Sequence, residues 1–291
     1  MRNNRQNPKF KFSLVCYVFL CAQFYYGQYR HLLIFLLRIQ GEKTMRIIRN
    51  IRYDSLKNAY IDFFLPEKNA FDLIIWFHGG GLESGDRKNP AFAEQLTENG
   101  YGVASVEYRM YPIAKFPDYI VDGANAVKFV TDNANEYGEI NRFIVSGQSA
   151  GAYITMMLAL DGHYFHDARV DKNKIYAYVS DSAQVTTHFN VLKERGMDSR
   201  LERIDDAAPF YYLSEKSDFK NLLLIYYSHD ICCRPEQNAL FYKSAKRLCP
   251  NQNIQLVELP GEHCSGSSMI NAVGEYDYNR ALIKFISDSK N

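Results

Sequence analysis

This 291-residue sequence lacks cysteines at metal-binding spacing and has almost no net charge. None of the six cysteines forms a Cys-x-x-Cys pair, the spacing typical of zinc sites, and the adjacent Cys232 and Cys233 are hard to bridge to each other without strain. The formal net charge is only +1, so the composition indicates neither a nucleic-acid partner nor an electrostatically steered acidic substrate. These absences predict a protein that needs no metal and that resides in a reducing compartment, the cytoplasm.

Uninterrupted apolar runs long enough to cross a membrane are also lacking. A basic start, residues 1–11, precedes a mostly apolar stretch at 12–27 and a shorter one at 31–37, which is the order found in a secretory signal or membrane anchor. Polar residues interrupt the first stretch, no clear cleavage site follows, and neither stretch reaches the roughly 20 residues of a comfortable membrane span. We therefore expect no stable membrane insertion, with a secreted or anchored protein as the alternative if residues 1–44 are genuine.

Met45 begins the first segment that has the pattern of a folded domain. The residues just before it, Gly-Glu-Lys at 41–43, are what a purine-rich ribosome-binding site would encode if it were translated in frame. We therefore expect the native chain to start at Met45, with residues 1–44 a non-native or signal-like extension. Residues 45–291 are expected to form a single domain, because their number lies in the range that α/β folds fill as one unit.

Residues 147–151, Gly-Gln-Ser-Ala-Gly, stand between an apolar strand-like run and a helix-like run. Glycines two residues to either side of Ser149 remove the side chains that would clash in a tight strand-to-helix turn. Such a turn exposes a serine hydroxyl for nucleophilic attack. The motif alone also occurs in ordinary turns, so its interpretation depends on partner residues elsewhere in the chain.

A glycine-rich loop follows the buried strand expected at residues 72–77. The sequence His78-Gly-Gly-Gly81 allows the backbone to turn its N–H groups toward a bound oxygen, as acyl transfer requires for its oxyanion. A phosphate-binding P-loop is a poorer match, because the lysine and Ser/Thr that end it are missing. We expect the N–H groups of Gly80, Gly81 and Ala150 to form the oxyanion hole.

Two further candidates follow in the order acid, then base. Asp230 stands just past an apolar run at residues 221–228, at the carboxyl end of an expected parallel strand, where open α/β sheets build their sites. His263 follows the last expected strand, residues 253–259. We therefore expect a triad of Ser149, Asp230 and His263, in the chain order of an α/β-hydrolase rather than that of chymotrypsin or subtilisin.

Other histidines and acids are weaker candidates. His229 adjoins Asp230, but neighbouring side chains at the end of a strand point in opposite directions. The remaining candidates are His163, His166 and His188 for the base, and Glu236 and Glu262 for the acid. None of these histidines follows both the acid and the last strand, and Asp230 is better placed at a strand end than either glutamate.

With these motifs the sequence resembles the α/β-hydrolase superfamily, in the His-Gly-Gly-bearing esterase and lipase group that includes hormone-sensitive-lipase-like and feruloyl-esterase-like carboxylesterases. The resemblance also rests on a Tyr-Arg pair at 108–109, a Phe-Pro pair at 116–117 and Asp122, which belong to the scaffold in that group. It extends from about Met45 to the C-terminus. It implies an α/β fold with a mostly parallel central sheet and helices on both faces.

The pattern between the motifs predicts strands that alternate with helices after an antiparallel opening, residues 47–53 and 60–65. One helix is expected over residues 119–137, with Asp118 as its N-cap. Residues 181–212 do not fit the alternation. Their length suits a small lid over the site, and lids set substrate access.

The activity that these features predict is two-step acyl transfer on a small-molecule carboxylic ester, with no metal or organic cofactor. The oligomeric state cannot be read from the sequence. Two alternatives stay open. An amidase or peptidase would use the same triad, and a hydrolase-fold binding protein would keep the pocket without turnover.

Overall fold

The computed structural model describes residues 45–55 and 58–289. The expectations for residues 1–44 concern a segment outside this part of the chain. Within the described residues, eight strands form one sheet in the order β1-β2-β4-β3-β5-β6-β7-β8. The strands are β1 (Arg46–Arg52), β2 (Tyr60–Leu65), β3 (Ala70–Phe77), β4 (Tyr101–Val106), β5 (Glu139–Gln148), β6 (Ile175–Asp181), β7 (Asn221–His229) and β8 (Asn253–Glu262).

The sheet is antiparallel at one edge and parallel elsewhere. Strand β2 pairs antiparallel with β1 and β4, whereas the pairs from β4 through β3 to β8 are all parallel. The antiparallel opening and the mostly parallel sheet predicted from the sequence are therefore confirmed. Because the carboxyl ends of all the parallel strands lie at the same edge of the sheet, loops that are distant in sequence converge at that edge.

Strand β3 shows why the sequence favours this arrangement. Its side chains alternate between two apolar clusters, with Leu73, Ile75 and Phe77 in the larger one and Ile74 and Trp76 in the smaller one. A strand that is buried on both faces needs apolar residues at consecutive positions, as parallel strands between helix layers do.

Helices cover both faces of the sheet. They are α1 (Ala93–Glu98), α2 (Asp118–Asp132), α3 (Ala150–Leu160), α4 (Gly162–Asp167), α5 (Phe189–Glu194), α6 (Arg234–Leu248), α7 (Ser265–Ser268) and α8 (Asp277–Asp288). Buried residues of α2, α3 and α6 belong to the larger cluster, and those of α1 and α8 to the smaller one. All eleven residues of α3 are buried, which makes it the central helix. No helix in the described part of the chain is long and apolar enough to cross a membrane.

The predicted helix over residues 119–137 differs from the structure at both ends. Helix α2 ends at Asp132, and a separate 3₁₀ turn follows at Ala134–Glu136. The prediction of Asp118 as N-cap is wrong. Pro117 occupies the cap position. The Asp118 carboxylate instead accepts a hydrogen bond at 3.2 Å from the N–H of Lys115, which precedes the helix, rather than from an N–H in the first turn.

The last strand is longer than the apolar run that predicted it. Strand β8 continues past Leu259 to Glu262, and Glu262 pairs with His229 of β7 after a register shift. This extension carries His263 to the end of β7, where Asp230 begins the next loop. Pairing of the backbone, rather than side-chain hydrophobicity, sets the end of this strand.

The segment at 181–212, expected as a lid, contains helix α5 and a 3₁₀ turn at Pro209–Tyr212. Its first part, through residue 192, is almost entirely buried, whereas most residues of 193–206 are partly or fully exposed. The buried part lies against the glycine-rich loop, as described below. Whether the exposed part moves as a lid stays a prediction.

Candidate active site

Ser149 lies at the tight turn between β5 and α3, with φ of 53° and ψ of −112°. This positive φ strains any residue other than glycine and is found at functional turns. A Cβ atom on Gly147 would lie 2.3 Å from the carbonyl carbon of Gly151, and one on Gly151 would lie 2.1 Å from the carbonyl oxygen of Phe77. Both glycines of the motif are therefore sterically required. The N–H of Ser149 donates to the carbonyl of Asp181 at 2.8 Å, which ties the turn to β6.

The structure brings together the three side chains that the chain order predicts. Nε2 of His263 lies 2.8 Å from Oγ of Ser149, and Nδ1 of the same ring lies 2.5 Å from Oδ1 of Asp230. The three residues come from the ends of β5, β7 and β8. With Nδ1 protonated and donating to Asp230, Nε2 is free to accept the serine proton.

The environment of Asp230 favours its ionised form. Burial alone pushes the pKa of this carboxyl upward, but hydrogen bonds from His263, Ser182 and the N–H of Ile231 outweigh burial and hold the pKa below its usual value. The N–H of Tyr227 also donates to Oδ2 at 3.1 Å. Asp230 therefore carries a charge at neutral pH and can orient and stabilise the imidazole.

Ser182 is a functional residue that the sequence analysis missed. Its hydroxyl donates to Oδ2 of Asp230 at 2.6 Å and lies 2.9 Å from Nδ1 of His263. It can therefore donate to the acid and accept from the base at the same time. The one signal that could have found it is its position directly after β6, since sites in parallel sheets gather at strand ends.

The glycine-rich loop leaves the end of β3 beside the serine turn. A Cβ atom on Gly79 would lie 3.3 Å from Cβ of Ser149, and one on Gly80 would lie 2.1 Å from the carbonyl oxygen of Ser84. Gly80 has φ of 107°, which glycine alone adopts readily. Among the described residues, no hydrogen bond is donated by the N–H groups of the expected oxyanion donors, Gly80, Gly81 and Ala150. These groups are free to bind a substrate oxygen.

The buried part of the 181–212 segment holds the glycine-rich loop in place. The side-chain amide of Asn190 donates to the carbonyl of Gly81. The ring of Phe189 packs so closely that a Cβ atom on Gly81 would lie 3.0 Å from it. Residues 182–190 thus run from Asp230, which Ser182 contacts, to the glycine-rich loop, which Asn190 contacts.

A buried polar network fixes the start of the same loop. His78 stacks on Tyr108 with ring centroids 4.4 Å apart, and its Nε2 lies 3.4 Å from Oε1 of Glu107. Arg87 binds the other oxygen of Glu107 at 3.1 Å and reaches Asp62 at 3.0 Å. Burial raises the pKa of Glu107, but contacts with His78 and Arg87 lower it more, so the carboxylate stays charged. Tyr108 of the Tyr-Arg pair therefore belongs to this network, whereas Arg109 binds Asp122 of α2 at 2.7 Å.

The other acids and bases lie away from the triad contacts. His163 and His166 pair with the neighbouring Asp161 and Asp167. His229 contacts Ser228 rather than Asp230. Glu236 and Glu262 are exposed. None of them replaces the predicted acid or base in the hydrogen-bonded chain.

His188 is buried within the same 181–212 segment. Its Nδ1 accepts from the N–H of Asn190 at 3.2 Å and caps α5. Burial, and then the nearby Arg234, lower the pKa of His188 well below its ordinary range, so the ring stays neutral. Its role is to hold the helix that carries Asn190.

No group of three or more His, Cys, Asp or Glu side chains in the described residues is arranged to hold a metal ion. The site itself offers an aligned serine, an imidazole held by a carboxylate, and backbone N–H groups without a partner in the described residues, which together suit nucleophilic acyl transfer.

Comparison with known proteins gives the site a family context. Residues 61–195 match the family model BD-FAE. Probable carboxylesterase 3 of Arabidopsis thaliana is 30% identical over 126 residues, which are 38% of this chain and 40% of that protein. Carboxylesterase NlhH of Mycobacterium tuberculosis is 30% identical over 116 residues, 38% of this chain and 36% of the relative. The chain thus spans about two fifths of the length of these curated relatives.

A solved structure extends the likeness to the whole domain. Esterase B of Lactobacillus rhamnosis has a TM-score of 0.69 at 17% identity, covering 87% of this chain and 90% of that one. At this identity the match shows the fold. Together with the matches to the family model and to the curated carboxylesterases, it confirms the resemblance read from the motifs, to the α/β-hydrolase carboxylesterase group of the hormone-sensitive-lipase and feruloyl-esterase type.

Proposed function

We propose that the protein is a serine carboxylesterase that hydrolyses small-molecule esters through Ser149, Asp230 and His263 and an acyl-enzyme intermediate. The observation that carries this proposal is the unbroken hydrogen-bonded chain from Asp230 through both nitrogens of His263 to Ser149. Similarity to the BD-FAE family model and to curated carboxylesterases supports an ester as the substrate class.

In the first step, Oγ of Ser149 attacks the ester carbonyl while its proton moves to Nε2 of His263. Nδ1 keeps its own proton, which it donates to Asp230 at 2.5 Å, and the carboxylate stabilises the imidazolium that forms. The imidazolium then gives its Nε2 proton to the departing alcohol, and the acyl group stays on Ser149.

The negative charge that develops on the carbonyl oxygen needs donors that are already in position. The N–H groups of Gly80, Gly81 and Ala150 have no competing acceptor in the described residues, and the turn of Ser149 lies against Gly79. One such donor typically contributes about 3 kcal/mol to the transition state. Asn190 holds the loop from the opposite side, so these donors do not need to reorganise during the reaction.

In the second step, a water molecule replaces the alcohol. Nε2 of His263 takes the proton of the water as its oxygen attacks the acyl carbon, and it returns that proton to Oγ of Ser149 when the acid leaves. The free enzyme is thereby restored without a cofactor.

Hydrolysis of p-nitrophenyl esters of increasing acyl length by the full chain tests this proposal. We expect turnover that Ser149→Ala abolishes, and covalent labelling by a fluorophosphonate that adds once to the wild type and not to Ser149→Ala. The acyl length with the highest kcat/KM would give the size of the acyl pocket. Turnover that survives in Ser149→Ala, or a folded protein that is inert toward all esters and is not labelled, would overturn the proposal.

A pair of histidine variants provides a matched control. His263→Asn removes the base of the chain and should lose nearly all activity. His229→Asn alters an exposed histidine at the end of β7, whose ring contacts only Ser228 among the described residues, and should keep it. Equal loss in both variants would contradict the assignment of the base.

A further inference from the structure

Two adjacent thiols lie on the loop that follows the triad acid. The Sγ atoms of Cys232 and Cys233 are 3.5 Å apart, and both residues are free cysteines. Cys232 is exposed and Cys233 is partly exposed, whereas Cys249 and Cys264 are buried. The proposed esterase reaction uses neither Cys232 nor Cys233.

Chain geometry disfavours a direct disulfide between these thiols. Among the described residues the cis peptide bonds both precede proline, so the bond between Cys232 and Cys233 is trans. Neighbouring Cα atoms across a trans peptide are about 3.8 Å apart, whereas disulfides span about 4.4 Å or more. A single atom that binds both sulfurs requires much less movement of the two cysteines, because the sulfurs can stay near their present separation.

The number of available ligands decides which bridging atom fits. Zinc takes four protein ligands in structural sites, and no group of three or more His, Cys, Asp or Glu residues in the described ranges is arranged for a metal. A trivalent arsenic atom that already carries one carbon substituent is completed by two thiolates, and sulfur is its preferred ligand because both are soft. We propose that Cys232 and Cys233 form a binding site for monosubstituted trivalent arsenicals, which bridge the two sulfurs beside the triad acid.

The binding step is a condensation and needs no oxidant. An arsenical of the form R–As=O loses its oxygen and gains two As–S bonds. The two thiol protons leave with that oxygen as one water molecule, and arsenic remains trivalent. Sulfur and arsenic keep their oxidation states throughout, so the reaction reverses when a competing dithiol is added.

Cys233 lies at the start of a helix and close to the neighbouring thiol. Cys233 is the N-cap of α6, a helix of 15 residues whose positive end stabilises a thiolate. The pKa of Cys233 is raised chiefly by its hydrogen bond with Cys232, and further by Glu202 and Glu236. This raised pKa disfavours a free thiolate on Cys233, and the As–S bonds of the adduct replace the S–H bonds without requiring a free thiolate to persist.

The site is coupled to the triad through its two flanking residues. On one side, the N–H of Ile231 donates to Oδ1 of Asp230 at 2.7 Å. On the other side, Nη1 of the buried Arg234 donates to the carbonyl of Ser182 at 3.3 Å. The ring that arsenic forms with the two sulfurs restrains the turn between Ile231 and Arg234. A shift of about 1 Å in a catalytic group can cost about 10²-fold in rate. This coupling rests on the proposed esterase function.

Binding is tested on the reduced full-length protein with phenylarsine oxide, by intact mass and peptide mapping. We expect one phenylarsenic group that bridges Cys232 and Cys233, persists in excess monothiol and is removed by dithiothreitol. Cys232→Ser and Cys233→Ser should each lose it. Cys249→Ser and the double variant Cys16→Ser/Cys21→Ser should keep it. Failure of the wild type to bind, or binding that persists in Cys232→Ser, would overturn the site.

Coupling is tested by ester hydrolysis on the same samples. The occupied wild type should lose activity by about tenfold to a hundredfold, and untreated Cys232→Ser should keep its basal rate and resist the reagent. An adduct on both thiols that leaves hydrolysis unchanged would overturn the coupling. An inactive untreated protein would count against the esterase proposal alone, because the mass measurement does not depend on turnover.

Discussion

The hydroxyl of Ser182 donates to Oδ2 of Asp230 at 2.6 Å, so this carboxylate is held by the residue directly after β6 as well as by its own loop. Oδ1 of the same carboxylate is left for His263 and the N–H of Ile231. With both oxygens occupied, the carboxylate cannot rotate away from the imidazole. We therefore expect Ser182 to act as a positioning residue, through Asp230.

Ser182→Ala should lower kcat/KM by about tenfold to a hundredfold, because a hydrogen bond to a charged group contributes about 1.5–3 kcal/mol. Ser180→Ala is a matched control two residues earlier. Ser180 is equally buried, but its hydroxyl has no hydrogen-bond partner among the residues that the structure describes, so its removal should leave the rate unchanged. Steady-state kinetics on one ester check both variants. A Ser182→Ala enzyme as active as Ser180→Ala would remove Ser182 from the site.

The sequence predicted those parts of the fold and site that depend on local requirements. Buried parallel strands such as β3 and β7 need consecutive apolar residues, and the serine turn needs Gly147 and Gly151 for steric reasons. Such demands leave a pattern within a few residues. The same holds for the loop after β3, where three glycines stand together.

Ser182 and Asn190 could not be predicted in this way. Each makes its key contact with a residue far along the chain, Asp230 and Gly81 respectively, and the segment that carries them has no periodicity. Serine and asparagine are also common in loops, so their presence alone indicates nothing. The end of α2 was misread for a related reason. The residues from α2 through the following 3₁₀ turn are all compatible with a helix, so the sequence does not indicate that the α-helix ends at Asp132.

Asn190→Ala should lower kcat by about tenfold, less than the ~10² cost of deleting an oxyanion donor itself, because it frees the carbonyl of Gly81 but removes no donor. Lys193→Ala, on the same helix, breaks an exposed ion pair with Glu83 and should have little effect. Kinetics of the two variants on one substrate distinguish the effect of the Asn190–Gly81 contact from that of the Lys193–Glu83 ion pair. A similar loss in both would mean that general loosening of α5, rather than the Gly81 contact, matters.

Asp230→Asn should reduce kcat by about 10⁴-fold, since an amide can no longer fix the tautomer of His263 or stabilise its cation. Glu262→Gln is the matched control, because Glu262 is an exposed acid directly before His263 and should be dispensable. Circular dichroism establishes that both variants are folded. Near-normal activity of Asp230→Asn would mean that another acid orients His263.

Asp181 is a buried carboxyl that the reaction does not use. Its side chain accepts hydrogen bonds from Tyr227 at 2.8 Å and Ser267 at 2.7 Å, and its carbonyl holds the N–H of Ser149. Burial raises the pKa of Asp181 from 3.8 to about 6, and these hydrogen bonds only partly oppose the rise. The folded protein therefore keeps a proton that the unfolded chain releases between about pH 4 and pH 6.

This difference fixes the sign of a stability effect. Over that window the native state binds more protons than the unfolded state, so the contribution of Asp181 to the free energy of unfolding falls as pH rises and levels off above about pH 6. The total loss is about 3 kcal/mol. Asp181→Asn cannot ionise, so it should be more stable than the wild type at pH 7 and should approach it at pH 4.

Urea unfolding of both proteins at pH 4 to 7 measures the effect, since the difference between them cancels the titration of the other groups. The gap in free energy of unfolding should widen with pH up to about pH 6. A constant gap would mean that Asp181 has the same pKa in the folded and unfolded states. A gap that narrows as pH rises would mean that the folded state prefers the carboxylate, and that Tyr227 and Ser267 compensate for burial more fully than the shift of this pKa indicates.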